Sequence, residues 1–394
     1  MSNNNINSGD KYELCTSCQM CAAVCHKQAI TISLDNDGFY RPIVDEDLCV
    51  DCGQCVKVCV KYDNSIITTP NEELSGVSLY AASALDDEIV AKTTSGGIAD
   101  LLAKQLIAEG FKVIGVVYNP QTNRAEGRIA RNTEETDVFR GSKYIQSYNL
   151  DAFREFVNSC KKEKIAVFGL PCQIYAAHKL LERYNCRDNS VLIDLYCHGC
   201  PSMLVWDKVS DHIKKKTKTN HYTMVNWRSK LKGWGQFVLE TYGTNGSQYH
   251  SEPLNNEFFD FFFSNLLLND ACNECKLRST LAYCDIRLGD FWGRDYKKTN
   301  RGVSAVSVVT ERGMELFAAI KNKMNITSKK FSSFLPYQSW GHSYSVDYKL
   351  RNEILGLLRK NDSTLEECIR PLKDRWTIKK RAKIIIKQIL FNFR

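Results

Sequence analysis

Eight cysteines in two runs of identical spacing, Cys15, Cys18, Cys21, Cys25 and then Cys49, Cys52, Cys55, Cys59, constrain this chain more than any other feature. Each run reads C-x2-C-x2-C-x3-C. With that spacing three neighbouring thiolates wrap one face of a 4Fe-4S cube while the fourth cysteine crosses to a second cube. The reading places Cys15, Cys18, Cys21 and Cys59 on one cluster, and Cys49, Cys52, Cys55 and Cys25 on the other. A disulfide scaffold and zinc are the alternatives. Zinc sites seldom use four cysteines at these intervals, and the duplication argues against coincidence. Such runs usually close on Cys-Pro, whereas His26 follows Cys25 and Val60 follows Cys59. That proline shapes the exit turn and supplies no ligand.

With 394 residues the chain can bury the cores of two or three domains. The segment Met1–Lys11 is polar and Asn-rich, without the apolar stretch of a signal peptide, and reads as a disordered start. The longest apolar block, Phe258–Leu268, is too short to span a bilayer and contains Asp260. Seventeen cysteines in such a chain point to thiolates kept reduced, hence to the cytoplasm. The net charge of +8 is concentrated in Arg370–Arg394, where nine Lys/Arg stand against Asp374, or 9 − 1 = +8. A near-neutral remainder excludes a broad nucleic-acid surface and predicts no nucleic-acid partner.

Along the chain, Ala29–Ile32 and Phe39–Val44 flank Asp35-Asn36-Asp37-Gly38 and predict a β-hairpin over the clusters. Residues 1–62 form the cluster module and 63–78 a linker. Strand and helix then alternate: a strand at Leu79–Ala84, the turn Thr94-Ser95-Gly96-Gly97, a helix from Ile98 to Glu109, and a buried strand from Lys112. A glycine turn leading into a helix amino terminus suits a phosphate, although an ordinary capping turn has the same signature. Gly141-Ser142-Lys143-Tyr144, with Gln146 and Ser147, gathers donors and one cation. Cys172 follows the strand Ile165–Phe168, and Cys197 with Cys200 follows Val191–Tyr196, at carboxyl ends where open α/β sheets place their sites. Cys272, Cys275 and Cys284 precede Leu288-Gly289-Asp290-Phe291-Trp292-Gly293.

Thr-Ser-Gly-Gly-Ile, Gly-Ser-Lys-Tyr, Gly-Leu-Pro-Cys-Gln, Asp-Leu-Tyr-Cys-His-Gly, Cys-x2-Cys and Leu-Gly-Asp-Phe-Trp-Gly occur in this order. Together they resemble the family of coenzyme F-420 hydrogenase/dehydrogenase beta subunits, from about Leu79 to Lys330, here behind a two-cluster 4Fe-4S ferredoxin-type domain. The resemblance implies FAD and a third 4Fe-4S cluster. It assigns Cys172, Cys197, Cys272 and Cys275 to that cluster, with Cys200 or Cys284 as substitutes. The flavin falls to Ser95, Gly96, Gly97 and Lys143, with Tyr144, Ser147 and Gly289 nearby. The body divides into 79–160, an N-terminal part of the family region, and 161–330, the part carrying the third cluster. Residues 331–394 form a C-terminal extension.

The expected fold is a small ferredoxin domain followed by an α/β flavin-binding body, α+β over the whole chain. The expected function is an iron–sulfur flavoprotein oxidoreductase. Electrons would pass from a one-electron donor such as ferredoxin through the clusters to FAD, then to coenzyme F-420 or another organic acceptor, with a role in polysaccharide synthesis among the alternatives. No general acid or base is identified. A non-catalytic electron-transfer subunit of a larger redox complex and a cluster-bearing scaffold at the membrane surface are the competing readings. Arg375–Arg394 predicts a basic amphipathic helix able to hold the protein peripherally on an anionic membrane, at its inner face.

Overall fold

The computed structural model describes residues 4–7, 14–66, 68, 74, 76–253 and 256–376. The basic helix expected over 375–394 therefore lies outside the described residues from position 377 onward.

In the first module the strands β1 (Ile30–Leu34) and β2 (Tyr40–Val44) pair antiparallel, Ile30 opposite Val44 and Leu34 opposite Tyr40, as the sequence predicted. Asp35 closes the hairpin by accepting the backbone N–H groups of Asp37 and Phe39. Gly38, at φ +77°, takes the left-handed conformation that glycine adopts without penalty. A Cβ there would stand 2.8 Å from Ser202 Oγ and 2.9 Å from Leu204 N, so the hairpin tip is docked on the body. Gln146 spans the same seam, accepting from Tyr40 N–H and donating to the Gly38 carbonyl. The polar start is more ordered than its composition predicts. Asn5 and Ile6 are each only 1% exposed, because Ile6 enters the core and its carbonyl accepts from Lys61 Nζ and Tyr62 Oη.

The body is built on one nine-stranded mixed sheet. Its strands are β3 (Ser78–Ala84), β4 (Lys112–Asn119), β5 (Arg124–Ala130), β6 (Ser147–Tyr148), β7 (Ile165–Phe168) and β8 (Ser190–Leu195). Further along come β9 (Tyr222–Ser229), β10 (Val238–Gly243) and β11 (Gln248–His250), which form a separate three-stranded sheet. β12 (Ile286–Asp290), β13 (Ser304–Val308) and β14 (Met324–Lys329) rejoin the large one, whose order is β14-β3-β13-β12-β8-β7-β4-β5-β6. The four central strands, β12, β8, β7 and β4, run parallel. Both faces are covered, which explains why these strands read as continuous apolar runs. Ile165, Val167 and Leu192 face a core shared with the helices Leu150–Ser159 and Pro171–Tyr184 and with Met20 and Ala22 of the first module. Ala166, Val191 and Ile193 face the opposite core, with the helices Ile98–Ala108 and Glu311–Ala319. The sheet takes strands from both sides of residue 160, so the two parts of the body fold together.

A third core joins the helices Met203–Thr217, Glu257–Ser264, Tyr348–Leu358 and Leu365–Asp374 to β9 and β10. The Phe-rich segment is a helix of eight residues whose Phe258, Phe259, Phe261 and Phe262 are buried. No helix among the described residues is long and apolar enough to cross a membrane.

Candidate iron–sulfur sites and the adjoining basic cluster

Two cavities lie in the first module, and they divide the eight cysteines between them. One is lined by Cys15, Cys18, Cys21 and Cys59, with Ile6, Ile32, Pro42 and Val58 as apolar wall. The other is lined by Cys25, Cys49, Cys52 and Cys55. The fold thus carries the fourth cysteine of each run across to the other trio. Left-handed residues make this possible: Ser17 and Gln19 in the first loop, Asp51 and Gly53 in the second. Desolvation, with repulsion among neighbouring thiolates, pushes Cys18 and Cys59 above the ordinary thiol value and Cys21 well above it. Iron would relieve both effects, since a ligating thiol is deprotonated and neutralised by the metal. The Asn5 amide approaches Cys49 Sγ at 3.6 Å. Among the described residues no three His, Cys, Asp or Glu gather tightly enough to hold a single metal ion; the thiols ring cavities instead.

The third set is assembled by the large sheet. Cys172 sits in the first turn after β7, where Pro171 starts the helix, and Cys197 lies two residues beyond β8. Cys272 and Cys275 arrive on short 3₁₀ turns from the far side. Burial pushes Cys197 up to about 11 and Cys272 up to about 12. Cys172 is driven well above its ordinary value, first by burial, then by Cys18, Cys197, Cys275 and Cys272. That order places Cys18 of the first cavity beside the third set. Of the two substitutes, Cys200 borders the set, its N–H stabilising the Cys272 thiolate. Cys284 instead stands against Asp194 and Arg287. His198 turns its ring away from the cysteines, to Ser339 Oγ at 2.9 Å and Asn265 Oδ1 at 2.7 Å.

Arg278, which sequence reasoning missed, ties these loops together. Its guanidinium donates to the carbonyls of His198 (3.0 Å), Cys272 (2.5 Å) and His342, and lies 4.4 Å from the Tyr344 ring centroid. An arginine inside a Cys-x2-Cys-Lys-Leu-Arg stretch carries no signal that separates it from a surface charge.

The residues expected at a flavin are only partly brought together. The turn Thr94–Gly97 touches the loop Gly141–Tyr144 through Ser142 N–H to Thr94 Oγ, 2.7 Å. Gly96, however, is no open cradle: its N–H donates to Ser304 Oγ, and a Cβ would meet Ala82 O at 2.3 Å and Ser304 N at 2.8 Å. It is glycine because two strands close on it. Gly96→Val is accordingly expected to destabilise the body by about 3 kcal/mol or more, since neither backbone can withdraw. A denaturant midpoint within error of the parent would refute this packing. Gly97, at φ +84°, caps the following helix. Ser147 stands at the docking seam, its carbonyl accepting from Gln19 Nε2, and Gly289 packs under Tyr196.

What does converge beside the turn is positive charge. Lys143 Nζ donates to the carbonyls of Phe139 and Arg140, both 3.0 Å, and desolvation lowers it to about 7. Lys230 Nζ donates to Val90 O (2.6 Å) and Ser95 O (2.7 Å), and burial lowers it to about 8. Among the described residues neither ammonium has a carboxylate within ion-pair distance. Next to them Arg228 donates to Tyr144 Oη and Asp290 Oδ2, both 2.9 Å, and stands 4.0 Å from the Phe237 ring centroid. Trp292 stacks on Trp234 at 4.6 Å. Asp290 Oδ1, Arg228 Nε and Trp234 Nε1 are buried without a hydrogen-bond partner.

Paired cysteine cavities docked on a mixed α/β body define an iron–sulfur protein, and residues 14–61 indeed match a 4Fe-4S dicluster domain. Over residues 162–333 the chain carries the C-terminal region of the family of coenzyme F420 hydrogenase/dehydrogenase beta subunits, as the ordered motifs led us to expect. That family belongs to oxidoreductases. One subunit of the F420H2 dehydrogenase of Methanosarcina mazei is 25% identical over 329 residues, 80% of this chain and 85% of that protein. The coenzyme F420 hydrogenase beta subunit of Methanococcus voltae is 27% identical over 30% of this chain and 44% of its own length. The corresponding subunit of Methanosarcina barkeri is 28% identical over 34% and 50%. A chain from the solved F420-reducing NiFe hydrogenase complex of Methanosarcina barkeri aligns with a TM-score of 0.45 and 19% identity, over 77% of this chain and 94% of that one.

Proposed function

We propose that the chain is an iron–sulfur flavoprotein in which three 4Fe-4S clusters, on the quartets Cys25/Cys49/Cys52/Cys55, Cys15/Cys18/Cys21/Cys59 and Cys172/Cys197/Cys272/Cys275, connect a one-electron donor to FAD. The observation that carries it is continuity. Cys55 acts on Cys21, and Cys18 acts on Cys172 ahead of Cys172's own quartet partners. The order of conduction follows: from the second cavity, where Cys52 is exposed, through the first, to the set at the sheet ends. Clusters exchange single electrons, and a flavin joins two of them into hydride chemistry.

FAD rests on the family resemblance and on the two carbonyl-bound ammonium groups beside the Ser95–Gly97 turn, which offer a diphosphate counter-charge. In this reading Lys143 and Lys230 hold the phosphates, and Arg228 with Tyr144 and Asp290 orients the ring system. Lys143→Met is expected to weaken FAD binding about tenfold, the loss of one charged contact. Binding to the parent protein should be tighter below pH about 7, where Lys143 is protonated, than above it. Equilibrium dialysis of FAD against both proteins tests this. Unchanged affinity and no pH dependence would remove the phosphate role of Lys143.

A second reading is favoured by the names of the relatives, each a subunit of a larger enzyme. The chain would then pass electrons within a complex and act on F420 or another carrier only there. Turnover by the isolated chain with reduced viologen and F420 separates the two readings.

A further inference from the structure

We infer that the exposed rim of the Cys25/Cys49/Cys52/Cys55 cavity docks a one-electron carrier protein with a positively charged face around an apolar centre. The inference rests on the reading of that cavity as a cluster site and adds the chemistry of the partner. Cys52 is the exposed member of its quartet. Around it Leu48 is 51% exposed, Val50 55% and Ile43 54%, three large apolar side chains on one small module. Isolated exposed apolar residues need no explanation, but a group of them beside a buried redox site forms the apolar centre of an interface. The same stretch holds Asp45, Glu46, Asp47 and Asp51, all exposed. The Asp45 carboxylate accepts the backbone N–H groups of Asp47 and Leu48, which fixes the acidic turn beside the apolar residues. Against these four acids stand Lys27, at the same cavity, and Lys57, so the local sum is −4 + 2 = −2. Outside Arg370–Arg394 the chain is otherwise near neutral. An acidic carrier would be repelled at this rim, whereas a basic one would be steered to it and pressed against Leu48 and Val50. This departs from the acidic ferredoxin-like donors that the sequence alone suggested.

The test uses full-length protein with its iron, reduced anaerobically and mixed with lysine-rich ferric cytochrome c as a cationic probe or with an acidic cytochrome of similar size. One electron passes from the reduced cluster to the ferric haem and no proton moves. The rate with the cationic probe is expected to fall about tenfold from low to physiological salt, and that with the acidic probe to rise. Asp45→Asn/Glu46→Gln/Asp47→Asn should lose most of both dependences, while Glu252→Gln/Asp362→Asn on the body should keep them. Iron analysis of each protein distinguishes the two ways to fail. Iron missing from this quartet would overturn the cluster reading itself. Full iron with the same salt dependence in the triple variant would overturn the docking surface alone. Salt-sensitive self-association abolished by deleting residues 377–394, without any response to the cationic probe, would make the occupant a second copy of the chain and would also overturn the inference.

Discussion

Replacing Cys172 and Cys275 by serine is expected to lower the iron content from about 12 to about 8 atoms per chain, the loss of one four-iron cube. The two cysteines reach the third site from opposite sides of it, Cys172 on the helix after β7 and Cys275 between two short turns. Serine is nearly isosteric but a poor ligand to a cluster that selects soft thiolates. The first two cavities share no cysteine with this set, so their absorbance should survive. Because Cys172 adjoins Cys18, electron flow from the first module to any bound flavin should stop altogether. Anaerobic iron analysis and low-temperature electron paramagnetic resonance of the reduced protein measure both effects. Unchanged iron in the double variant would eliminate the third cluster; loss of four atoms with undiminished flavin reduction would place it off the path.

Much of this architecture is legible in the sequence because the signals are local or periodic. The hairpin over the clusters follows from two strand-forming runs around Asp-Asn-Asp-Gly, and β7 and β8 from apolar runs bounded by polar segments. The third cysteine set is different. Its members lie as far apart as Cys172 and Cys275 in the chain, and only the resemblance connected them; the parallel strands then bring two of the four to neighbouring carboxyl ends.

Where the sequence misled, one residue type served two physical ends. Ser95-Gly96-Gly97 reads as a phosphate cradle because glycine admits a close approach. At Gly96 the close approach is made by Ala82 and Ser304. The cations beside the turn were only half visible. Lys143 stands in a recognisable motif, but Lys230 and Arg228 follow an ordinary strand, and the groups that desolvate and orient them come from Val90, Ser95, Tyr144 and Asp290. Such convergence is a product of the fold and has no spacing of its own. The N-terminal segment shows the converse limit, since Ile6 is a single apolar residue in a polar run yet anchors Lys61 and Tyr62.

Asp194→Ala is expected to destabilise the protein by about 3–5 kcal/mol, the consequence of leaving a buried guanidinium without its counter-charge. Asp194 lies on β8 and Arg287 on the adjacent parallel strand β12, each side chain 2% exposed, joined by two contacts of 2.7 and 2.5 Å. Burial raises Asp194 despite its partner, so this pair is held against a desolvation cost. Replacing both residues, Asp194→Leu with Arg287→Met, should recover more than half of the lost stability, because an apolar pair of similar volume avoids that cost. It should not recover the third site. Arg287 also donates to the carbonyls of Arg278 (3.2 Å) and Leu277 (3.3 Å), in the turn that follows Cys275. Through that turn it positions Arg278, whose own donors hold the His198 and Cys272 carbonyls. The double variant should therefore fold, keep the iron of the first module and lose that of the third set. Denaturant midpoints and iron content, read on the single and double variants together, separate the two roles: a double variant with full iron would confine the pair to stability, and a single variant costing less than about 1 kcal/mol would mean that the charge reaches water.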